Sequence, residues 1–135
     1  MAGAPVKQPV RVPELFESHE HHAYEQCVVA GNMIFVAGQV GWDKDKGIVS
    51  KEFEPQVRKA FADIRACLNA AGADLGDLVS MTVYVTDIAN GPEFLRLRKE
   101  ILAGNFATSS LIGINELFHP DLLVEISAIA VRGTA

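Results

Sequence analysis

The stretch Leu122–Val131 reads Leu-Leu-Val-Glu-Ile-Ser-Ala-Ile-Ala-Val and decides the fold. Successive side chains of a strand point to opposite faces of its sheet, and this run is apolar at nearly every position. A strand of this kind needs cover on both faces, which places it inside a sheet. Glu125 is the one charged residue of the run, and the burial of an unpaired carboxylate is energetically costly.

Two interpretations of Glu125 are open from the sequence. Either it is an outward-facing or salt-bridged residue of the strand, or it is a carboxylate at the mouth of a pocket. An apolar environment raises the pKa of a carboxyl group that has no charged partner, and such groups concentrate at functional sites. In the second interpretation, Glu125 positions a water molecule or a ligand amine.

Upstream of this strand, the sequence predicts an alternation of strands and helices. Gly31-Asn32 separates two short apolar runs and tolerates the positive φ angles of a hairpin turn. Apolar residues at intervals of three and four predict an amphipathic helix over residues 54–71. The predicted elements are strands at 27–30, 33–37, 79–85, 109–114 and 122–132 and helices at 54–71 and 92–102.

The resulting order, β-β-α-β-α-β-β, is that of an α+β domain whose mixed sheet carries two helices on one face. We expect one domain at 23–135, preceded by a leader at 1–22 that is polar and punctuated by prolines. The two helices cover one face of the sheet, and the remaining chain holds nothing to cover the other. We therefore expect neighbouring subunits to cover that second face.

The composition argues against nucleic-acid and membrane partners. The 135 residues include 12 Lys and Arg against 17 Asp and Glu, a net charge of −5, and binding to a phosphate backbone requires clustered basic residues. No apolar run is long enough to span a bilayer, and the N-terminus lacks the pattern of a secretory signal. Cys27 and Cys67 lie inside apolar patterns without metal or redox spacing, so we expect a reduced, cytoplasmic protein.

Histidines and serines are further candidates for chemistry. His19 and His21 face one way in an extended segment, but a third ligand would have to come from elsewhere, and we predict no metal site. His119, in the loop before the last strand, is either a surface residue or a pocket residue. Ser109 and Ser110 lack a Gly-x-Ser-x-Gly elbow and a matching His and Asp, so we predict no catalytic triad.

Four segments of the chain carry recognisable motifs. They are Ala-Gly-Asn-Met-Ile-Phe-Val-Ala-Gly-Gln at 30–39, Asn-Ala-Ala-Gly-Ala at 69–73, Thr-Val-Tyr-Val-Thr-Asp at 82–87 and Val-Glu-Ile-Ser-Ala-Ile-Ala-Val at 124–131. In this order and at this spacing they resemble the YjgF/RidA family, which is also called the endoribonuclease L-PSP family. The resemblance extends over about residues 24 to 132 and leaves the leader unexplained.

The resemblance implies a chorismate-mutase-like α+β fold and a homotrimer with three pockets in the clefts between subunits. The family activity that it implies is the hydrolysis of reactive enamines and imines to a keto acid and ammonia, without a cofactor. In that chemistry an arginine holds the substrate carboxylate as a bidentate pair, and a glutamate on the last strand orients the attacking water.

The resemblance carries over to this chain only in part. Glu125 falls on the family glutamate, and Tyr24 falls on a tyrosine that lines the pocket, although from the residues alone it is equally a packed ring. Gly38 matches the family glycine, but Ala37 stands where the family has a serine. Ser109 falls in the position of the family arginine.

The loss of that arginine limits the function that the resemblance implies. An arginine–carboxylate pair contributes a few kcal/mol, whereas a serine offers one neutral hydrogen bond. We therefore expect weak or absent activity on amino-acid-derived imines. His119 and Arg132 are alternative sources of a cation, although nothing in the sequence places either of them in the pocket.

Two functional hypotheses follow. The first is an enzyme that acts on a small enamine, imine or carbonyl metabolite: Glu125 orients water, Tyr24 walls the cleft, and Ser109 and the backbone at Gly113 hold the ligand. The second is a non-catalytic module of the same fold that binds a small molecule or regulates a partner. Ribonuclease action, which the older family name suggests, ranks third because of the acidic charge balance.

Overall fold

The structure, a computed structural model, describes residues 6–133. Pro5 of the predicted leader and the last two residues of the predicted domain lie outside this range. The strands are β1 (Lys7–Pro9), β2 (Cys27–Ala30), β3 (Met33–Val40), β4 (Trp42–Asp43), β5 (Gly47–Ile48), β6 (Leu78–Val85), β7 (Thr108–Gly113) and β8 (Val124–Val131). The α-helices are α1 (Ser18–His21), α2 (Phe53–Ala70) and α3 (Gly91–Leu102).

Six of these strands form one mixed sheet in the order β1-β2-β3-β8-β6-β7. β6 and β7 are parallel, and the other neighbouring strands are antiparallel. β8 lies between β3 and β6, so the prediction that the last strand lies inside a sheet is confirmed. The predicted α+β class and the order of its seven elements are confirmed as well, and β1, α1 and the small β4–β5 pair are additions to them.

The two long helices α2 and α3 pack against each other, and α2 packs on β3 and β8. The apolar stripe that predicted α2 faces the core, with Val57, Phe61 and Ile64 almost fully buried. Pro55 and Pro92 lie in the first turns of α2 and α3, as the sequence predicts. Gly72 lies just beyond the end of α2 with a φ of +86°, the conformation expected of a glycine that ends a helix.

The second face of the sheet carries no helix of this chain. Alternate residues of β8 are buried against the helices, whereas Glu125, Ser127, Ile129 and Val131 are partly exposed on the other side. Phe35 pairs with Ile129 on this face and is 40% exposed. We call this surface the open face; its apolar side chains are those that the sequence analysis expected a neighbouring subunit to cover.

Part of the predicted leader packs on the domain. β1 pairs with β2 at the edge of the sheet, where a proline is tolerated because one side of the strand needs no ladder hydrogen bonds. Val12 and Leu15 are buried in the core, although their surroundings in the sequence are polar. Within residues 6–133, no helix is both long and apolar enough to cross a bilayer.

Gln56 fixes the loop before β8 to helix α2. Its side chain is fully buried, and its amide nitrogen donates to the carbonyl oxygens of Ser50 (2.9 Å) and Asp121 (2.8 Å). Its amide oxygen accepts from the backbone N–H of Leu123 at 2.8 Å. These three hydrogen bonds set the point at which the chain enters the last strand.

We predict that Gln56→Leu destabilises the protein strongly, because it leaves one N–H and two carbonyl groups without their partner. The expected loss in the free energy of unfolding is about 3 kcal/mol, measured by urea denaturation. Gln8→Leu is the matched control, since Gln8 is exposed on β1, and it should leave stability nearly unchanged. Equal stability of the two variants would contradict this role of Gln56.

Candidate functional site

Glu125 lies on the open face, between two neighbouring strands. In the sheet register it pairs with Val40 of β3 and Tyr84 of β6, and paired residues project from the same face. Its side chain is partly buried, and no described residue forms an ion pair or a side-chain hydrogen bond with its carboxylate. Burial therefore raises the pKa of Glu125 above the ordinary range of a carboxyl group.

An irregularity in β3 makes room for this carboxylate. The β3–β8 register shifts between Val36 and Gln39, and the intervening residues are Ala37 and Gly38. A Cβ atom on Gly38 would lie 2.6 Å from Cδ and Oε2 of Glu125, so only glycine permits this approach. Gln39 is turned into the protein, where its amide donates to Gln26 Oε1 (2.8 Å) and to the carbonyl of Ala37 (3.1 Å).

A cavity of about 520 Å³ opens beside Glu125. One wall is the irregular segment 37–40 of β3, and another comes from residues 14–16 of the predicted leader. Aromatic side chains supply much of the remaining wall. The aromatic and charged lining residues are Phe16, His22, Tyr24, Trp42 and Phe118, with Glu14, Lys44, Asp63 and Glu125.

The charges in the cavity are mostly negative. Lys44 is the one Lys or Arg among the lining residues of the described chain, and its ammonium donates to the carbonyl of Pro13 at 2.6 Å. Asp63 is buried, and Lys59 Nζ lies 2.9 Å from its carboxylate; burial nevertheless raises the pKa of Asp63. The pKa of Tyr24 is raised by burial and, in second place, by the charge of Glu125.

Of the predicted site residues, Glu125, Tyr24, Ala37 and Gly38 line this cavity together. Tyr24 is 43% exposed, so it forms a wall and is not a ring of the core. Its carbonyl accepts a hydrogen bond of 2.7 Å from Ser18 Oγ in α1.

Ser109, Gly113 and His119 lie outside the cavity lining. Ser109 pairs with the buried Met81, so its side chain is on the helix side of the sheet, where its hydroxyl accepts from Arg98. Its neighbour Ser110 pairs with Thr82 and is the serine on the open face, because strand side chains alternate. Ser109, which the resemblance places in the arginine position, therefore does not share a face with Glu125. Neither Ser109 nor Ser110 supplies the positive charge of the missing arginine.

Gly113 ends β7 beside Ile88. His119 packs against the Trp42 ring with centroids 5.7 Å apart, and its Nδ1 accepts from the backbone N–H of Asp121 at 3.1 Å. His119 therefore packs against Trp42, which lines the cavity, without lining the cavity itself. Arg132, the other alternative cation, donates to the carbonyls of Gly31 and Ala71 at the far end of β8.

The aromatic wall is the part of the site that the sequence analysis missed. Trp42 lies two residues beyond Val40, past a bend at Gly41, and lines the same cavity as Glu125. The Phe118 ring is 6.4 Å from Trp42, but 76 residues of sequence separate the two. Only the Gly41-Trp42 pair, one residue after the Gly38-Gln39 motif, is a signal that sequence reading could have used.

Residues 18–21 form the helix α1 and not the extended segment that the sequence analysis expected, and of the leader histidines His21 belongs to an exposed cluster. Ligand-type atoms of Glu17, Glu20 and His21 lie within 4.8 Å of one another, and all three residues are exposed. Exposed acids commonly gather in this way without a metal, and we assign no metal site to them.

The fold is that of an α+β protein whose mixed sheet has an open face, and solved structures share this fold. The YjgF gene product of Escherichia coli superposes with a TM-score of 0.85 at 27% identity, covering 93% of this chain and 99% of the other. TdcF of Escherichia coli, in a crystal structure with bound serine, superposes with a TM-score of 0.76 at 30% identity, covering 82% and 88%.

The family model described as Endoribonuclease L-PSP matches residues 17–132. A RutC family protein of Pyrococcus abyssi is 33% identical over 110 residues, which is 81% of this chain and 86% of the relative. A protein of Dermatophagoides farinae named 2-iminobutanoate/2-iminopropanoate deaminase is 28% identical over 109 residues, 80% and 84% of the two chains. The chain therefore belongs to the endoribonuclease L-PSP family, which is the YjgF/RidA family.

We predict a pH-dependent effect of Glu125→Gln on stability. Because the pKa of Glu125 is raised in the folded state, the unfolded chain releases this proton at a lower pH than the folded chain. The wild type should therefore lose stability relative to the glutamine variant as the pH rises through the pKa of Glu125. Below about pH 4 the difference should become constant. A difference in urea unfolding that does not change between pH 3 and 8 would refute the burial of this charge.

We predict that Gly38→Ala displaces the Glu125 side chain, because the clash falls on the far end of a flexible group. The carboxylate should move toward solvent, and the midpoint of its titration, followed by carbon NMR of labelled glutamate, should fall toward that of an exposed glutamate. Gly133→Ala is the control, since a Cβ there meets nothing within 4 Å. An unchanged midpoint in Gly38→Ala would mean that the contact does not position Glu125.

Proposed function

We propose that this protein hydrolyses a small imine or enamine metabolite in the cavity beside Glu125, and that a second copy of the chain completes that cavity in a homotrimer. The observation that carries the proposal is the partly buried carboxylate of Glu125, which has no partner among the described residues and lies against Gly38 in a cavity of about 520 Å³. Membership of a family that includes named imine deaminases supports it.

The proposed reaction uses Glu125 as a proton carrier. As water adds to the carbon of a protonated imine, the C–O bond forms, the C=N π pair moves to nitrogen, and Glu125 accepts the proton of the water. In the second step Glu125 returns the proton to nitrogen, the hydroxyl oxygen forms the C=O double bond as the C–N bond breaks, and the hydroxyl proton passes through Glu125 to the departing ammonia, so that a carbonyl compound and ammonium leave. A carboxyl group with a raised pKa suits both steps near neutral pH.

The charges of the cavity favour a substrate without a carboxylate. Lys44 is the only lysine or arginine in the described lining, and its ammonium is already bound to a backbone carbonyl. Ser110, the β7 serine on the open face, cannot hold a carboxylate as a bidentate pair. A carboxylate ligand would therefore meet Glu125 and Glu14 without a compensating cation.

The trimer and the cytoplasmic location are parts of the same proposal. Phe35, Met33 and Ile112 expose apolar surface on the open face, and a subunit interface would bury them. Both cysteines are free and buried, which suits a reducing compartment. The division into a leader at 1–22 and a domain at 23–135 remains a proposal, and residues 14–16 would then serve the site from the leader side.

A binding module without turnover is the second candidate. The observation that favours it is the pair of serines at the start of β7, where the resemblance expects the arginine that anchors the substrate. The same cavity would then hold a metabolite without hydrolysing it, and its occupancy would be the signal.

We expect Glu125→Gln to lower the release of ammonia from any imine that the wild type hydrolyses by about a hundredfold. The imines are generated in place by an amino-acid or amine oxidase, and ammonia is followed over time. Glu116→Gln, an exposed glutamate outside the cavity, is the matched control and should be as active as the wild type. No release from any imine, with ligand binding retained, would favour the binding module instead.

We expect Ser110→Arg to create or raise hydrolysis of 2-iminobutanoate by about tenfold or more, because an arginine on this face can bind the substrate carboxylate. Ser110→Gln adds similar length without the charge and should give no gain. Sedimentation should show the same assembly for both variants. If the arginine variant assembles normally and gains nothing, the open face at β7 is not where a substrate carboxylate lies.

A further inference from the structure

Much of the cavity wall outside the irregular segment of β3 is aromatic. Trp42 and Phe118 form a tilted pair with ring centroids 6.4 Å apart, and Phe16 packs against His22 at 5.1 Å. All four line the same cavity as Glu125. Phe118 is 78% exposed, a large apolar surface that the fold of the single chain does not use.

The Trp42 ring packs against two other parts of the chain. A Cβ atom on Gly47 would lie 3.6 Å from the edge of the indole, so the ring lies over the turn between β4 and β5. His119 packs against the same ring from the loop before β8. Trp42 follows Val40, the sheet partner of Glu125, by two residues, and both Trp42 and Glu125 line the cavity. An aromatic surface and a carboxylate thus line one cavity.

Residues outside the family match complete this wall. The family model begins at residue 17, whereas Glu14, Leu15 and Phe16 line the cavity. Leu15 is buried and anchors the segment to the core. This part of the wall therefore lies outside the span that the family model matches.

The charge of the wall selects further. Of the acids in the lining, Asp63 has Lys59 as its partner, while Glu125 has no ion pair within the described residues. A carboxylate beside aromatic rings favours a cation in two ways. The carboxylate attracts the cation by its charge, and the rings attract it through their electron-rich faces.

We propose that the ligand of this cavity is a cation with an aromatic ring, whose ring lies on Trp42 and Phe118 while its positive nitrogen faces Glu125. This inference rests on the proposed function for the reaction and deepens it. The substrate would be a protonated imine that carries an aromatic ring, directly or through a short alkyl chain, and no carboxylate; it is called the aryl imine below. Its hydrolysis consumes one water and yields an aryl aldehyde or ketone and ammonium, so nothing else is required.

The chain provides its own probe, because Trp42 is its only tryptophan. Its fluorescence is titrated with 2-phenylethylammonium, with phenylacetate as the matched anion and with propylammonium as a cation without a ring. We expect 2-phenylethylammonium to bind at least tenfold more tightly than either of the others. Equal binding of phenylacetate or of propylammonium would overturn the inference.

Two variants separate the ring from the charge. Phe118→Ala should weaken the binding of 2-phenylethylammonium at least fivefold and leave that of propylammonium unchanged. Phe106→Ala, which removes another exposed phenylalanine outside the cavity lining, should change neither. Glu125→Gln should abolish the preference for cation over anion while the protein stays folded. If Phe118→Ala binds the aryl cation as tightly as Phe106→Ala does, the aromatic subsite is refuted.

A turnover experiment distinguishes this inference from the proposed function. The imine of 2-phenylethylamine, formed in place by a flavin amine oxidase, is compared with 2-iminobutanoate. Faster loss of the aryl imine, with the gain removed by Phe118→Ala, supports both proposals. Equal hydrolysis of the two imines overturns the aryl preference and leaves the proposed function. Selective binding without any hydrolysis overturns the proposed function and leaves the ligand class.

Discussion

The structure depends on the close contact between Gly38 and the carboxylate of Glu125. An acid in the apolar strand β8 is costly unless it has a partner or access to water, and here it has access to a cavity instead of an ion pair. The space for it exists because β3 is irregular at 37–38 and carries no side chain at Gly38. The same irregularity turns Gln39 inward and carries the chain on to Trp42, so the carboxylate and the aromatic wall have one structural origin.

This constraint links the sheet to the site. The helices bury one face of the sheet, and the other face keeps Glu125 together with apolar residues such as Phe35 and Ile129. A chain that leaves such a face open favours association, and a carboxylate within that face would then lie at a boundary between copies. Gln56 adds to this arrangement from the helix side, since it holds the loop that leads into β8.

Much of the fold could be predicted because its signals are local. Apolar residues at helical spacing marked α2 to within one residue at each end, and the doubly apolar run at 122–131 marked the central strand. The small strand β1 and the buried Val12 and Leu15 were missed, because single apolar residues among prolines and charges have no period. Tertiary packing alone orders that segment.

The site was harder to predict than the fold. Glu125 stood out because a charge in an apolar strand is unusual, and Gly38 followed from the motif. Ser109 was assigned to the arginine position from the resemblance alone, because Thr-Ser-Ser offers no polar–apolar alternation that shows which serine faces Glu125. The parallel register with β6 places Ser110 on that face. The pairing of Trp42 with Phe118 depends on two distant loops, so no local pattern could reveal it.

The most direct test of this account is a crystal structure of the assembled protein with 2-phenylethylammonium. The account predicts the ammonium nitrogen within hydrogen-bond distance of the Glu125 carboxylate, the ring against Trp42, and a second chain closing the cavity. A Glu125 side chain in open solvent, or a protein that remains a single copy with the ligand elsewhere, would contradict it.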